Sequence, residues 1–167
     1  ILAKGLLAQF EGITGLKHDE EIAVTQAQIK ELHVKHPFID RESKVVFGNH
    51  VTLEQGTGIV HTAPGHGHDD YITGLQNGLE VYCPVDDEGK FTSDFPEMKG
   101  VHVFKANPEI VKMLDEKKVL IQSGKIEHSY PHCWRCKKPL IYRATEQWFF
   151  SMDHNDLRKK GLKSVDA

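Results

Sequence analysis

Apolar residues recur along the chain in two rhythms, and the changes of rhythm mark its elements. Leu2, Leu6, Leu7 and Phe10 fall three to four positions apart, the spacing of one helix face, and the stretch stops at Gly12. From Glu21 the rhythm shortens. Ile22, Val24 and Ile29 fit a strand, and the runs around 32–39 and 44–53 read as further short strands with a turn at Gly48-Asn49. Residues 56–64 predict a strand between glycine and proline, and 68–78 a helix capped by Asp69 or Asp70 and ended by Gly78. A strand over 79–85 and a turn over 86–91 come next. A helix then opens with Asn107 as cap and Pro108 in its first turn, and Lys117 and Lys118 lie in its last turn. The segments 119–131 and 140–152 predict strands, and 155–163 a closing helix. Many short strands with a few inserted helices predict a mainly β, α+β fold with a barrel-like sheet.

Composition narrows the class. The 167 residues are 39% hydrophobic and 27% charged, enough for one globular core. No apolar run reaches the ~20 residues of a membrane span. The first residues lack both a signal-peptide pattern and an initiator Met, which predicts a cytoplasmic piece of a longer protein. The net charge of −3 is uneven. Residues 1–124 hold twelve basic and nineteen acidic side chains, and residues 125–167 hold nine and five. The second segment is therefore mildly basic and suited to lie near a polyanion.

The candidate chemistry concentrates in "GTGIVHTAPGHGHDDY", residues 56–71, with three of the eleven histidines, two aspartates, four glycines and a proline. His66, His68 and Asp70 match the start of an H-x-H-x-D-H zinc-hydrolase pattern, but Tyr71 stands where the next histidine is required. A plainer reading makes Asp69 and Asp70 helix-capping carboxylates in a turn-rich loop. That leaves the clustered glycines to be explained by close backbone approach to a ligand.

The stretch "GTGIVHTAPGHGHDDYITGLQNGLEVYCPVDDEGKF", together with "HPF", "GVHVFKAN" and "HSYPHCWRCKKPLIYRATEQWFFSM", resembles the editing domain inserted into bacterial-type isoleucyl-tRNA synthetases, a class I family. The resemblance covers nearly the whole chain. It implies a post-transfer editing domain that hydrolyses valyl-tRNA mischarged for isoleucine. It implies that Asp70 holds the amino group and that His61 lines the pocket. It also places Thr62, Gly65, His66 and Gly67 against the substrate. The implied partners are the tRNA acceptor end, valine and related small amino acids, and the rest of the synthetase. Residues 1–124 would be the editing domain, and 125–167 its end and the return towards the synthetic core. The family's threonine-rich segment has no counterpart here, so the chain by itself is expected to deacylate weakly or not at all. Neither signature of the ATP-dependent synthetic domain is present, and ATP and magnesium would serve only that domain.

The cysteines Cys83, Cys133 and Cys136 include one C-x-x-C pair. One pair is half of a zinc ribbon. The resemblance implies an upstream partner pair that completes a structural zinc site in the longer enzyme, while editing itself requires no cofactor. A small zinc hydrolase on His66, His68 and Asp70, and a non-enzymatic RNA-binding zinc knuckle at Cys133 and Cys136, remain the alternatives. Trp148, Phe149 and Phe150 read either as a core strand or as a stacking platform for RNA bases.

Overall fold

The computed structural model describes residues 1–54, 56–125 and 127–165. A short 3-10 turn, Lys4–Leu6, leads into α1 (Leu7–Thr14), which ends on the left-handed Gly15 rather than at Gly12. Helix α2 (Gln26–Lys30) follows. Strands β1 (His33–Lys35) and β2 (Glu42–Lys44) pair antiparallel, with His33 opposite Lys44 and Lys35 opposite Glu42. Then come α3 (His68–Asn77), α4 (Val103–Glu116) and α5 (Leu157–Val165).

The expected mainly β, barrel-like architecture is not what forms. Among the described residues the sheet consists of β1 and β2 alone, supplemented by isolated bridges such as Val85 with Phe91 and Lys90 with His102. The fold is a mixed helix and strand domain. Two local causes are visible. Thr25 accepts from the Gln28 amide while the Gln28 side chain accepts from the Thr25 amide, a reciprocal cap that turns an expected strand into α2. The expected strand over 56–64 is broken by turns at 56–57 and 64–66, and 59–63 between them pair with no strand among the described residues.

Helix α4 begins four residues before its expected cap. His102 takes the capping position, its Nδ1 accepting from the Phe104 amide, and Pro108 lies inside the helix. Packing overrides propensity here. The first turn carries Ala106, fully buried, onto Phe95 and Met98, and the Val103 amide donates to the Gly89 carbonyl.

That contact is the centre of the core. Phe95 stacks on Phe38 at 5.4 Å between ring centroids and meets Phe91 edge to face at 5.3 Å. Phe38 belongs to the connection between β1 and β2, so the hairpin, the 84–103 meander and α4 meet at one aromatic cluster. The core is small for the chain. The molecule exposes 14049 Å², against roughly 8,000 Å² for a compact monomer of this length. Trp148, Phe149 and Phe150 are 97%, 87% and 82% exposed, so the expected core strand over 140–152 is absent.

Phe95→Ala should cost about 3 kcal/mol. Amide exchange at Phe91 and Gly100, which bond across the meander, should then accelerate by about a hundredfold. Trp148→Ala should change it by less than about threefold. Equal effects from the two substitutions would mean that Phe95 does not hold this region together.

Candidate functional site

The loop 61–67 and the first turn of α3 form one unit, fixed from three directions. Gly65 is buried so closely against the 82–83 backbone that a Cβ would run into the Tyr82 carbonyl. Its own carbonyl accepts from the Ala144 amide at 2.7 Å. Pro64, also buried, lies against α3 at Gly74, where a Cβ would stand 2.8 Å from the proline ring. Gly65 in the loop and Gly74 in α3 thus allow close packing of backbone on backbone and helix on loop.

Asp70 closes the unit. Gly67 is the N-cap of α3, with no side-chain cap, so the first-turn carboxylates Asp69 and Asp70 face the positive end of the helix. Asp70 Oδ2 reaches back and accepts from the Ala63 amide at 3.2 Å. Gly67 is again the residue that makes room, since a Cβ would sit 3.1 Å from that oxygen. Asp70 Oδ1 points the other way, towards His50 Nε2 at 4.0 Å, and both side chains are about three-quarters buried. His50 was not legible as a site residue; the only sequence signal is a histidine directly after the Gly48-Asn49 turn.

The remaining candidates are placed as follows. His61 is exposed, with its ring 6.4 Å from that of His36. Thr62 is half-buried between His61 and Ala63. His66 turns away from α3: its Nδ1 bonds the Tyr142 carbonyl at 2.9 Å, which ties the loop to the 140–145 segment. His68 is exposed on the first residue of α3. No three His, Cys, Asp or Glu side chains converge as a metal site among the described residues. The zinc-hydrolase alternative on His66, His68 and Asp70 therefore has no support in the geometry.

Beside the loop, His36 is a second fixed imidazole. Its Nδ1 accepts from the amides of Ile39, at 3.1 Å, and Phe38, at 3.4 Å. Burial first, then the positive charges of Arg41 and His61, hold its pKa below the ordinary histidine value. An acceptor at Nδ1 is lost on protonation, so hydrogen bonding and burial both favour the neutral ring.

A groove of about 700 Å³ opens on the other side of α3. Its walls include Lys30, Lys44, Phe47, His50, Asp69 and Gln76, and His50 in that wall lies 4.0 Å from Asp70.

Cys133 and Cys136 flank a tight turn. The Lys137 amide donates to the Cys133 carbonyl and the Cys133 amide to the Lys138 carbonyl, with Lys137 in the left-handed region at φ 59°. The amides of Cys136 and Arg135 bond the Cys133 thiol and lower its pKa. Both cysteines are free.

No family model matches the chain. Among curated proteins it is similar to the isoleucine–tRNA ligase of Desulfovibrio desulfuricans, 55% identical over 85% of the chain. It is 50% identical to that of Geobacter sulfurreducens over 99% of the chain. The isoleucine–tRNA ligase of Desulfotalea psychrophila is 47% identical over the whole chain. The chain spans only 15–18% of the length of these relatives.

The His36 environment carries a pH dependence with a definite sign. The folded state binds the proton less readily than the unfolded chain, whose histidine titrates near 6.5. Between the two values the unfolded state holds more protons, so stability rises with pH. The contribution is complete above about pH 7 and is lost as pH falls through the window below 6.5. The His36 ring should titrate below 6.5 by NMR, and His36→Gln should flatten the stability slope between pH 7 and 5. A normal titration midpoint would remove the argument.

Proposed function

The chain belongs to the isoleucine–tRNA ligase family, matching a segment of its much longer members, and on that footing we propose that it is the part that hydrolyses the ester of tRNA mischarged with valine. Isoleucine and valine differ by one methylene, the standard example of a difference that an apolar pocket separates by only about 1–3 kcal/mol. A second site that removes the smaller product supplies the missing discrimination.

The observation that carries the reading is Asp70. Its carboxylate is about three-quarters buried in the first turn of α3, with one oxygen fixed by the Ala63 amide and the other 4.0 Å from His50 Nε2. A charged amino group needs such a partner when it leaves bulk water. His61 stands two residues before Ala63 and borders the same loop. Thr62, Gly65 and Gly67 would shape the surface that the aminoacyl group meets, and His66 would hold the loop through Tyr142.

In the reaction, a water oxygen bonds to the ester carbonyl carbon and the bond to the ribose oxygen breaks. The water's proton ends on that ribose oxygen, giving valine and free tRNA. No side chain in the loop is an activated nucleophile. Catalysis would rest on placing the water and the ester and on donors towards the carbonyl oxygen. The threonine-rich segment expected in this family would supply part of that surface from outside this chain. Residues 1–124 would carry the editing unit and 125–167 the return towards the synthetic core.

The partners in this reading are the acceptor end of tRNA, valine and small relatives, and the remainder of a cytoplasmic synthetase. No helix of the described residues is long and apolar enough to cross a membrane. ATP and magnesium belong to the activation reaction elsewhere in such a ligase. Cys133 and Cys136 fit zinc as two of its four tetrahedral ligands, because the turn presents both sulfurs and its amides favour thiolate at Cys133. A bound zinc there would pin the 130–140 segment, with no part in the hydrolysis.

Asp70→Ala, made in a full-length synthetase carrying this segment, should lower deacylation of valyl-tRNA by at least about a hundredfold. ATP-dependent isoleucine activation should be unchanged. Both rates are measurable on one preparation. Equal loss of both would make Asp70 a fold residue and would sink the proposal.

A further inference from the structure

We propose that His50 is a second binding group for the substrate's amino group, acting beside Asp70. The proposal rests on the editing reading above and names a residue which that reading does not include. It begins from a distance. His50 Nε2 and Asp70 Oδ1 are 4.0 Å apart, too far for a hydrogen bond between them. An ammonium nitrogen that donates to two acceptors at ordinary lengths of about 2.8–2.9 Å holds those acceptors roughly 4–4.7 Å apart. The separation therefore suits a shared donor between the two groups. Both side chains are about three-quarters shielded, at 28% and 25% exposure, so the donor would be largely desolvated.

The backbone is built to aim the imidazole. The turn 48–51 closes through the Val51 amide on the Gly48 carbonyl. The His50 ring folds back over Gly48, so closely that a Cβ there would lie 2.6 Å from Cε1 and 2.9 Å from Nδ1. A side chain at 48 would push the ring out of the position in which Nε2 lies 4.0 Å from Asp70 Oδ1. Asp70 is fixed from its other side by the Ala63 amide. Two acceptors on separate segments thus face one gap, and His50 also lines the groove with Asp69.

The chemistry follows. With its proton on Nδ1, the imidazole offers the Nε2 lone pair. A primary ammonium has three protons: one goes to Asp70 Oδ1, one to His50 Nε2, and the third remains for water or for another part of the site. Asp70 supplies the charge and His50 the second direction, so an acylated nitrogen, neutral and with a single N–H, can serve at most one of the two acceptors. The pair selects a free α-amino group.

The test uses a full-length synthetase carrying this segment, with valyl-tRNA and N-acetylvalyl-tRNA as substrates for deacylation. His50→Ala should raise KM for valyl-tRNA about ten- to a hundredfold. It should leave kcat/KM for N-acetylvalyl-tRNA and the rate of isoleucine activation unchanged. His50→Gln, which keeps an acceptor, should recover most of the loss. Gly48→Ala displaces the ring without removing it and should behave like His50→Ala. An unchanged KM for valyl-tRNA in His50→Ala overturns the proposal. So does an equal loss on both tRNAs, which would mark His50 as structural. Should Asp70→Ala retain full deacylation, the editing reading itself falls and takes this one with it. A defect confined to His50→Ala with normal Gly48→Ala would deny the turn its aiming role.

Discussion

Gly65 has no room for a side chain, and most of the site depends on that fact. Its Cα lies against the Tyr82 carbonyl, and its own carbonyl is bonded by Ala144. Three stretches far apart in sequence therefore meet at one residue. His66 repeats the link one position later, through the Tyr142 carbonyl. Once that junction is fixed, Pro64 can rest only on the helix beside it, and Gly74 leaves the space. Any side chain at 65 would separate the loop from its floor and carry the start of α3 away with it.

The electrostatics of α3 are built on this frame. A helix capped by glycine leaves its first amides without a side-chain acceptor of the Ser or Asp type at the cap itself. Asp70 is in the first turn but directs one oxygen to the preceding loop instead. The carboxylate therefore does two jobs at once: it offsets the helix dipole, and it locks the loop that ends in Gly67. Its second oxygen is left facing His50 across a gap.

Much of this was legible in the residues. Helix α3 and its Gly78 stop follow from the residue that adopts a left-handed φ, here 64°, at least cost. Asp70 stood out as a carboxylate opening a helix, and the Cys133–Cys136 turn as a C-x-x-C pair. The pattern predicts a barrel-like sheet that does not form, because alternation in 22–29 and 56–64 looks the same whether or not a partner strand exists. Thr25 and Gln28 carried the opposing signal, a capping box three residues apart, and it outweighs the β-branched residues before it. The start of α4 was hidden because burial of Ala106, a tertiary effect, moved the cap from Asn107 to His102. The sequence does not single out His50, because its role depends on a residue twenty positions away and on the space that Gly48, lacking a Cβ, leaves for its ring.

The large exposed area has a thermodynamic consequence. Heat capacity and denaturant sensitivity both scale with the surface newly exposed on unfolding. A chain that already shows 14049 Å² in its folded form has about a third less to reveal than a compact monomer of its length, since the unfolded chain exposes roughly 27,000 Å². Its melting, taken alone, will be broader and of lower enthalpy than that of a compact domain of this length, and its stability curve flatter with temperature. Burying Trp148 and the two phenylalanines beside it against another surface would sharpen that transition, so the steepness of the melt measures how much of this segment's apolar surface is covered from outside.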